Sequence, residues 1–253
     1  MSLEDRLRGL LAEKESGRGL LIAFEGPAGA GKTSQRKLFK GWLRSEGHKA
    51  VTVKWGRSDL VKPLLKARKK IHALSPAEYC ILHAVAFRHQ LENKILPALW
   101  EGRHVIADGY LFDALARDSA AGLDFAWVAN AYAPFLWPDV VFYFAVSPDT
   151  SGRRLWRKRP PKFYEAGQDA TQIPDPFASF TEFVQRMNRE YDALSLIFKF
   201  VKVDAEKPLF EQHRILRSLF QQAGRRPWAE WNFEAILDWA RQNPRAAEAY
   251  VGK

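Results

Sequence analysis

The run Gly26-Pro27-Ala28-Gly29-Ala30-Gly31-Lys32-Thr33 carries the most specific chemistry in this 253-residue sequence. It satisfies G-x-x-x-x-G-K-[ST] at every fixed position. The glycines let the backbone curl until successive N–H groups point inward at phosphate oxygens. A helix starting near Gly31 adds the positive end of its dipole. Lys32 then reaches the β- and γ-phosphates of ATP, and the Thr33 hydroxyl holds Mg²⁺. The residues expected to bind the co-substrate are Gly26, Ala28, Gly29, Ala30, Gly31, Lys32, Thr33 and Ser34. A second acidic signal is Val105-Ile106-Ala107-Asp108, an apolar run ending in a carboxylate. Asp108 is a candidate to hold Mg²⁺ with Thr33 or to orient the acceptor; the alternative is a strand-end acid that caps the next helix. No Asn-Lys-x-Asp occurs, which counts against a GTPase.

Phosphate chemistry also fits the charge. The formal net charge is +10, and it is clustered. Arg57, Lys62, Lys66, Arg68, Lys69 and Lys70 fall within residues 57–70 beside one acid, Asp59. Arg153, Arg154, Arg157, Lys158, Arg159 and Lys162 fall within 153–162 with no acid. Compact clusters suit a small polyanionic substrate at least as well as a nucleic-acid surface. A hydrophobic content of 47% with 13% aromatics excludes a disordered chain. The single cysteine, Cys80, excludes an intrachain disulfide framework and reads as a core residue. Neither a signal-peptide pattern nor an apolar run of membrane-spanning length is found, so a cytoplasmic protein with no membrane partner is expected.

The elements that must position these groups follow from periodicity. Five apolar runs, at 20–24, 50–55, 104–108, 140–146 and 198–203, read as strands of a parallel sheet covered on both faces. Helices are predicted over 32–46, 60–72, 76–100, 177–197 and 207–223, alternating with the strands as in a doubly wound α/β domain. Ser75-Pro76-Ala77-Glu78 is a helix start with a cap, a first-turn proline and a reciprocating glutamate. The kinase-like domain is expected over 19–223, preceded by a short amphipathic helix within 1–18. A Trp-rich helical extension follows over 224–253, after the break at Ala223-Gly224-Arg225-Arg226-Pro227.

Read in order, the segments resemble the thymidylate kinase family of nucleoside monophosphate kinases over roughly residues 19–222. Phe24-Glu25-Gly26 running through Thr33-Ser34-Gln35 is similar to the family's first strand and loop. Leu82-His83-Ala84-Val85-Ala86-Phe87-Arg88 and Ile95-Leu96-Pro97-Ala98-Leu99 resemble its long helix, and Trp137-Pro138-Asp139-Val140 with Ser147-Pro148-Asp149 its fourth strand and the turn into the lid. The resemblance implies a three-layer P-loop kinase fold: a five-stranded parallel sheet with helices on both faces and an Arg-rich lid at about 150–168. It implies ATP and Mg²⁺, a nucleotide acceptor similar to dTMP, and a homodimer. Lys32, Asp108, Arg154 and Arg157 would be catalytic. Trp55 would lie against the base, Arg57 and Arg88 would contact the acceptor phosphate, and Tyr110 would belong to the same site.

One segment departs from the family. After its third strand the family has Asp-Arg-Tyr, then serine, then Ala-Tyr-Gln; here the run is Asp108-Gly109-Tyr110-Leu111-Phe112-Asp113-Ala114-Leu115-Ala116-Arg117-Asp118. The phosphate-gripping arginine has become Gly109, and the positions that would be serine, tyrosine and glutamine read Asp113, Arg117 and Asp118, with Asp113 and Arg117 expected at the acceptor site. In one reading Arg57, Arg88 or Arg117 replaces the missing cation and the acceptor remains a nucleoside monophosphate. In a second, the acceptor is a hydroxyl, on a nucleoside or on a nucleotide in DNA, with nucleic acid as a less favoured partner. In a third, ATP switches an assembly and the tail is the interaction helix.

Overall fold

Leu21–Glu25 (β1) is buried at every position, the pattern expected of a central strand in a parallel sheet. The computed structural model describes residues 5, 6, 17–198 and 200–223. The extension expected over 224–253, and all but residues 5, 6, 17 and 18 of the segment 1–18 expected to hold the N-terminal helix, lie outside the described residues. The other strands are Ala50–Lys54 (β2), His104–Asp108 (β3), Val140–Ala145 (β4) and Val201–Asp204 (β5). They form one sheet in the order β2-β3-β1-β4-β5, and every neighbouring pair is parallel. The expected five-stranded parallel α/β architecture is therefore present.

Side chains alternate across β1, so each face of the sheet receives its own core. Ile22 and Phe24 pack with Phe39 and Leu43 of α1 (Lys32–Ser45) and with Leu216 and Phe220 of α10 (Leu209–Ala223). Leu21 and Ala23 face the larger cluster on the opposite side. That cluster takes Phe87 from α3 (Pro76–Gln90), Leu115 from α5 (Leu111–Ala120), Val128 from α6 (Phe125–Tyr132) and Tyr191 from α9 (Pro176–Ile197). Full burial of each such side chain contributes about 1.5–3 kcal/mol. The remaining helices are α2 (Lys62–Lys70), α4 (Leu96–Trp100), α7 (Pro148–Trp156) and α8 (Gln168–Thr171).

The site is positioned by the strand order. The chain leaves β1 for the edge strand β2 and returns to β3, and only then crosses to β4 on the other side of β1. A crevice opens at the carboxyl end of the strand where the winding reverses, and here that strand carries the glycine-rich run.

Two expectations are corrected in detail. The helix predicted over 76–100 is continuous in direction but not in winding: between α3 and α4 lies a π-helical turn, Leu91–Ile95. Pro97 explains the interruption, because it has no N–H to give the carbonyl four residues back and its ring crowds that carbonyl. The helices α5, α6, α7 and α8 were not among those expected. α5 begins without a side-chain cap, so its start has no polar signal. By contrast, Asp124 caps α6 at the Trp127 N–H (2.8 Å) and Ser147 caps α7 at the Thr150 N–H (3.2 Å). Both were readable signals.

Candidate active site

The phosphate loop keeps three glycines at positive φ: Gly26 at 137°, Gly29 at 82° and Gly31 at 95°. At Gly29 the requirement is also one of space. A Cβ there would stand 2.4 Å from the Ser151 carbonyl oxygen. This close approach lets the Ser151 hydroxyl donate to the Ala28 carbonyl at 2.6 Å and docks α7 directly on the loop. The Lys32 ammonium folds back onto the Gly26 carbonyl and lies 3.4 Å from Asp113. The Thr33 hydroxyl donates to the Asp108 carboxylate at 2.8 Å, and Arg36 lies 3.4 Å from the same oxygen. Asp108 therefore does not cap α5. A hydroxyl and a carboxylate side by side at the phosphate end are hard oxygen donors that fit Mg²⁺, which is commonly bound through one or two carboxylates plus substrate phosphates.

The cleft beyond the loop has a volume of about 1390 Å³. A single small-molecule site is typically about 300–1,000 Å³, so donor and acceptor can be held together. Its far wall is a column of rings. Trp55 stacks on His83 at 4.6 Å between centroids, and His83 on Tyr79 at 3.9 Å. His83 Nδ1 faces the Tyr79 carbonyl at 2.7 Å and Nε2 faces the Lys69 ammonium at 3.1 Å. A carbonyl can only accept, so Nδ1 carries the proton and Nε2 accepts from Lys69. Burial, reinforced by Lys69, holds the His83 imidazole well below its ordinary pKa, in agreement with this neutral form. Arg154 and Arg157 line the cleft from the lid side, where the Arg154 guanidinium donates to the Ala205 carbonyl at 2.8 Å.

The departures from the family pattern explain one another. Gly109 has φ 76°, and a Cβ there would lie 2.5 Å from Asp113 Oδ2 and 3.1 Å from Trp55 Cβ. The Asp113 carboxylate thus fills the space from which a side chain at 109 would start. It accepts from the Tyr191 hydroxyl and lies beside Lys32. Glu25 is fully buried beneath this pair and accepts from the Tyr110 N–H at 3.2 Å. Burial first, then Asp113, pushes its carboxyl well above the usual range. Arg117 is buried and bridges two carboxylates, donating to Asp118 and to Asp169 at 2.8 Å each. Its guanidinium carbon lies 3.6 Å from the Tyr79 ring centroid. Burial raises the Asp118 carboxyl, with Arg117 pulling in the opposite direction.

Not every expected residue reaches the cleft. Lys32, Thr33, Trp55, Arg57, Asp108, Asp113, Arg117, Arg154 and Arg157 line it, as do the loop residues. Arg88 and Tyr110 are absent from its lining among the described residues. The Arg88 guanidinium donates to the Ala133 carbonyl at 2.5 Å and lies 3.9 Å from Glu92. Tyr110 is buried against Phe87 and donates its hydroxyl to the Leu136 carbonyl at 2.8 Å. Of the three cations expected to replace the missing arginine, Arg88 points elsewhere, Arg117 is neutralised by two carboxylates, and Arg57 is exposed at the rim. Sequence reasoning missed Lys69, Tyr79, His83, Asp169 and Tyr191. Lys69 was visible only as one of a basic cluster, and His83 only as part of a helical segment.

A sequence model of the thymidylate kinase family matches residues 24–214. The chain belongs to the thymidylate kinase family. The probable thymidylate kinase 2 of Saccharolobus solfataricus is 34% identical over 194 residues, covering 76% of this chain and 91% of its own length. The probable thymidylate kinase of Thermococcus gammatolerans is 26% identical over 214 residues, 81% of this chain and 97% of its own. The thymidylate kinase of Bacillus velezensis is 33% identical over 144 residues, 54% of this chain and 68% of its own. As a member of this family the protein is a phosphotransferase, an ATP-dependent kinase of nucleoside monophosphates. Among the described residues no helix is long and apolar enough to cross a membrane.

Proposed function

We propose that the protein transfers the γ-phosphoryl group of ATP to the phosphate of dTMP. The observation that carries this reading is a single cleft with a complete phosphate loop at one end and the Trp55–His83–Tyr79 column at the other. The names of the relatives support the choice of dTMP.

Phosphoryl transfer leaves little covalent work to the protein; catalysis is positioning and stabilisation of the charge that develops on the transferring oxygens. In this reading the loop N–H groups hold the donor phosphates. Lys32 exchanges the Gly26 carbonyl and Asp113 for phosphate oxygens. Thr33 and Asp108 would hold Mg²⁺, which would supply positive charge against that of the phosphate oxygens. Arg154 and Arg157 close from the lid, add positive charge and exclude water that would otherwise accept the phosphoryl group. Trp55 provides an apolar face for the acceptor base.

A coupled assay over dTMP, the other nucleoside monophosphates, nucleosides and single-stranded DNA tests this. Turnover is expected with dTMP above the other monophosphates; turnover confined to nucleosides or DNA overturns it. In that second outcome Asp113, a carboxylate 3.4 Å from Lys32, would serve as the base for an acceptor hydroxyl. The homodimer implied by the family is supported by Ile81 and Val85, apolar and exposed one turn apart on α3, with exposed Trp127 on the adjacent α6. A monomer by sedimentation at micromolar concentration would remove it.

A further inference from the structure

Arg117 has consumed the nearby carboxylates. Asp118 and Asp169 both receive its guanidinium at 2.8 Å, and both side chains are buried. Lys69, on the last turn of α2, reaches the same pocket and finds no carboxylate within 4 Å among the described residues. Its ammonium instead donates to neutral His83 at 3.1 Å, sits 4.3 Å from the Tyr79 ring centroid and 6.0 Å from that of Tyr164. Tyr164 comes from the segment that follows the lid cluster, and its hydroxyl is tied to both backbone groups of Leu74 (2.8 and 3.3 Å). A cation is thus held between the body and the lid segment by aromatic faces and an imidazole, none of which carries a compensating charge.

We propose that Lys69 is the anion-binding residue at the aromatic end of the cleft, taking an anionic group of the acceptor. The proposal deepens the kinase reading and rests on it for the identity of the acceptor, though not for the anion site itself. Three observations converge on it. A cation with no anionic partner lines the cleft. The two carboxylates that would neutralise it are engaged by Arg117. The position that would supply the family's cation is filled by Asp113 against Gly109.

The groups facing Lys69 are His83 and Tyr79 from α3, Arg117 and Asp118 from α5, Lys162 and Tyr164 from the lid segment, and Asp169 from α8. Burial, with Arg117 and Lys162 against Asp169 and Asp118, brings the Lys69 ammonium down to about 8. Burial keeps His83 neutral and the phenols of Tyr79 and Tyr164 protonated across the range where Lys69 titrates. The charged form is present below that value and lost above it. Anion affinity is therefore expected to fall by up to about tenfold between pH 7 and pH 9.

The test measures binding of dTMP and of inorganic phosphate to protein saturated with ADP and Mg²⁺, for the wild type, Lys69→Met and Lys69→Arg. Lys69→Met is expected to weaken both probes by at least about tenfold while ADP affinity stays unchanged. Lys69→Arg should keep binding and lose the fall between pH 7 and pH 9, a change that a merely structural role would not produce. Binding of both probes by Lys69→Met within twofold of the wild type overturns the proposal, and so does a wild type that binds neither. If phosphate binds through Lys69 and dTMP does not, the anion site stands and the dTMP reading falls.

Discussion

Lys32 and Arg117 are both cations against carboxylates, yet removing them has opposite consequences. Lys32 is partly exposed at the cleft, 3.4 Å from Asp113, and is free to exchange partners. Lys32→Ala is expected to fold normally and to lose at least about 10²-fold in kcat, as removal of a group that stabilises transition-state charge does. Circular dichroism and the coupled assay check both halves. Arg117 is instead the ion-pair partner of two buried acids on different segments. Arg117→Ala leaves buried charge uncompensated, and urea unfolding should record a loss of about 3–5 kcal/mol. Adding Asp118→Asn and Asp169→Asn to that variant should restore part of the loss. The residue types in this run were legible from the sequence, but their pairing was not. Arg117 read as a free cation because its second partner, Asp169, lies 52 positions away on a helix of four residues.

At the scale of elements, the readable parts were those whose ends carry local signals. Ser75 and Glu78 form the reciprocal capping box expected of them, with Ser75 N–H to Glu78 at 2.8 Å and Glu78 N–H to Ser75 at 3.3 Å. Ser75→Ala should cost about 1 kcal/mol in urea unfolding, since the cap also fixes the loop from α2 that carries Lys69. The central strands β3, β1 and β4 were legible because burial on both faces forces near-continuous apolar sequence. α5 was not, because it starts at Tyr110 with no cap and is buried along almost its whole length. Its Arg117, Asp118 and Ser119 are buried together with its apolar residues, so its polar side does not mark a solvent-facing surface. α8 is too short for periodicity to exist. Its start at Gly167 is nonetheless tightly fixed: φ is 69° and a Cβ would meet the Phe183 ring at 2.1 Å. Gly167→Ala is expected to dislodge α8 from α9 and free Asp169 from Arg117, read as a lower melting temperature.

For the whole molecule, stability against acid reflects groups kept in one protonation state by burial. His83 is buried and held well below the ordinary histidine value, chiefly by desolvation and then by Lys69. As pH falls through about 6.5 the unfolded chain takes up a proton at this position and the folded chain does not, so His83 lowers stability progressively below that pH. Glu25 acts in the other sense, because its raised folded-state value favours the folded state as pH falls toward the unfolded value. Comparing wild type with His83→Gln separates them. The stability difference in favour of the wild type should shrink from pH 7 to pH 5, and a constant difference would show that His83 does not titrate on unfolding. The charge of the molecule is likewise concentrated rather than spread, since both basic clusters of the sequence reach the one cleft.

The π-helical turn between α3 and α4 has a further effect, on phase. Each residue advances an α-helix by about 100°, and a π turn holds roughly one residue more than an α turn, so the side chains before it are rotated by about that step relative to an uninterrupted helix. Arg88, matched to the family's arginine by resemblance, lies on α3 just before this turn. With the turn at Leu91–Ile95, Phe87 faces Tyr110 in the core and Arg88 faces Ala133. The turn therefore sets the register between α4, which packs against β3, and the stretch of α3 that presents Tyr79 and His83 to the cleft.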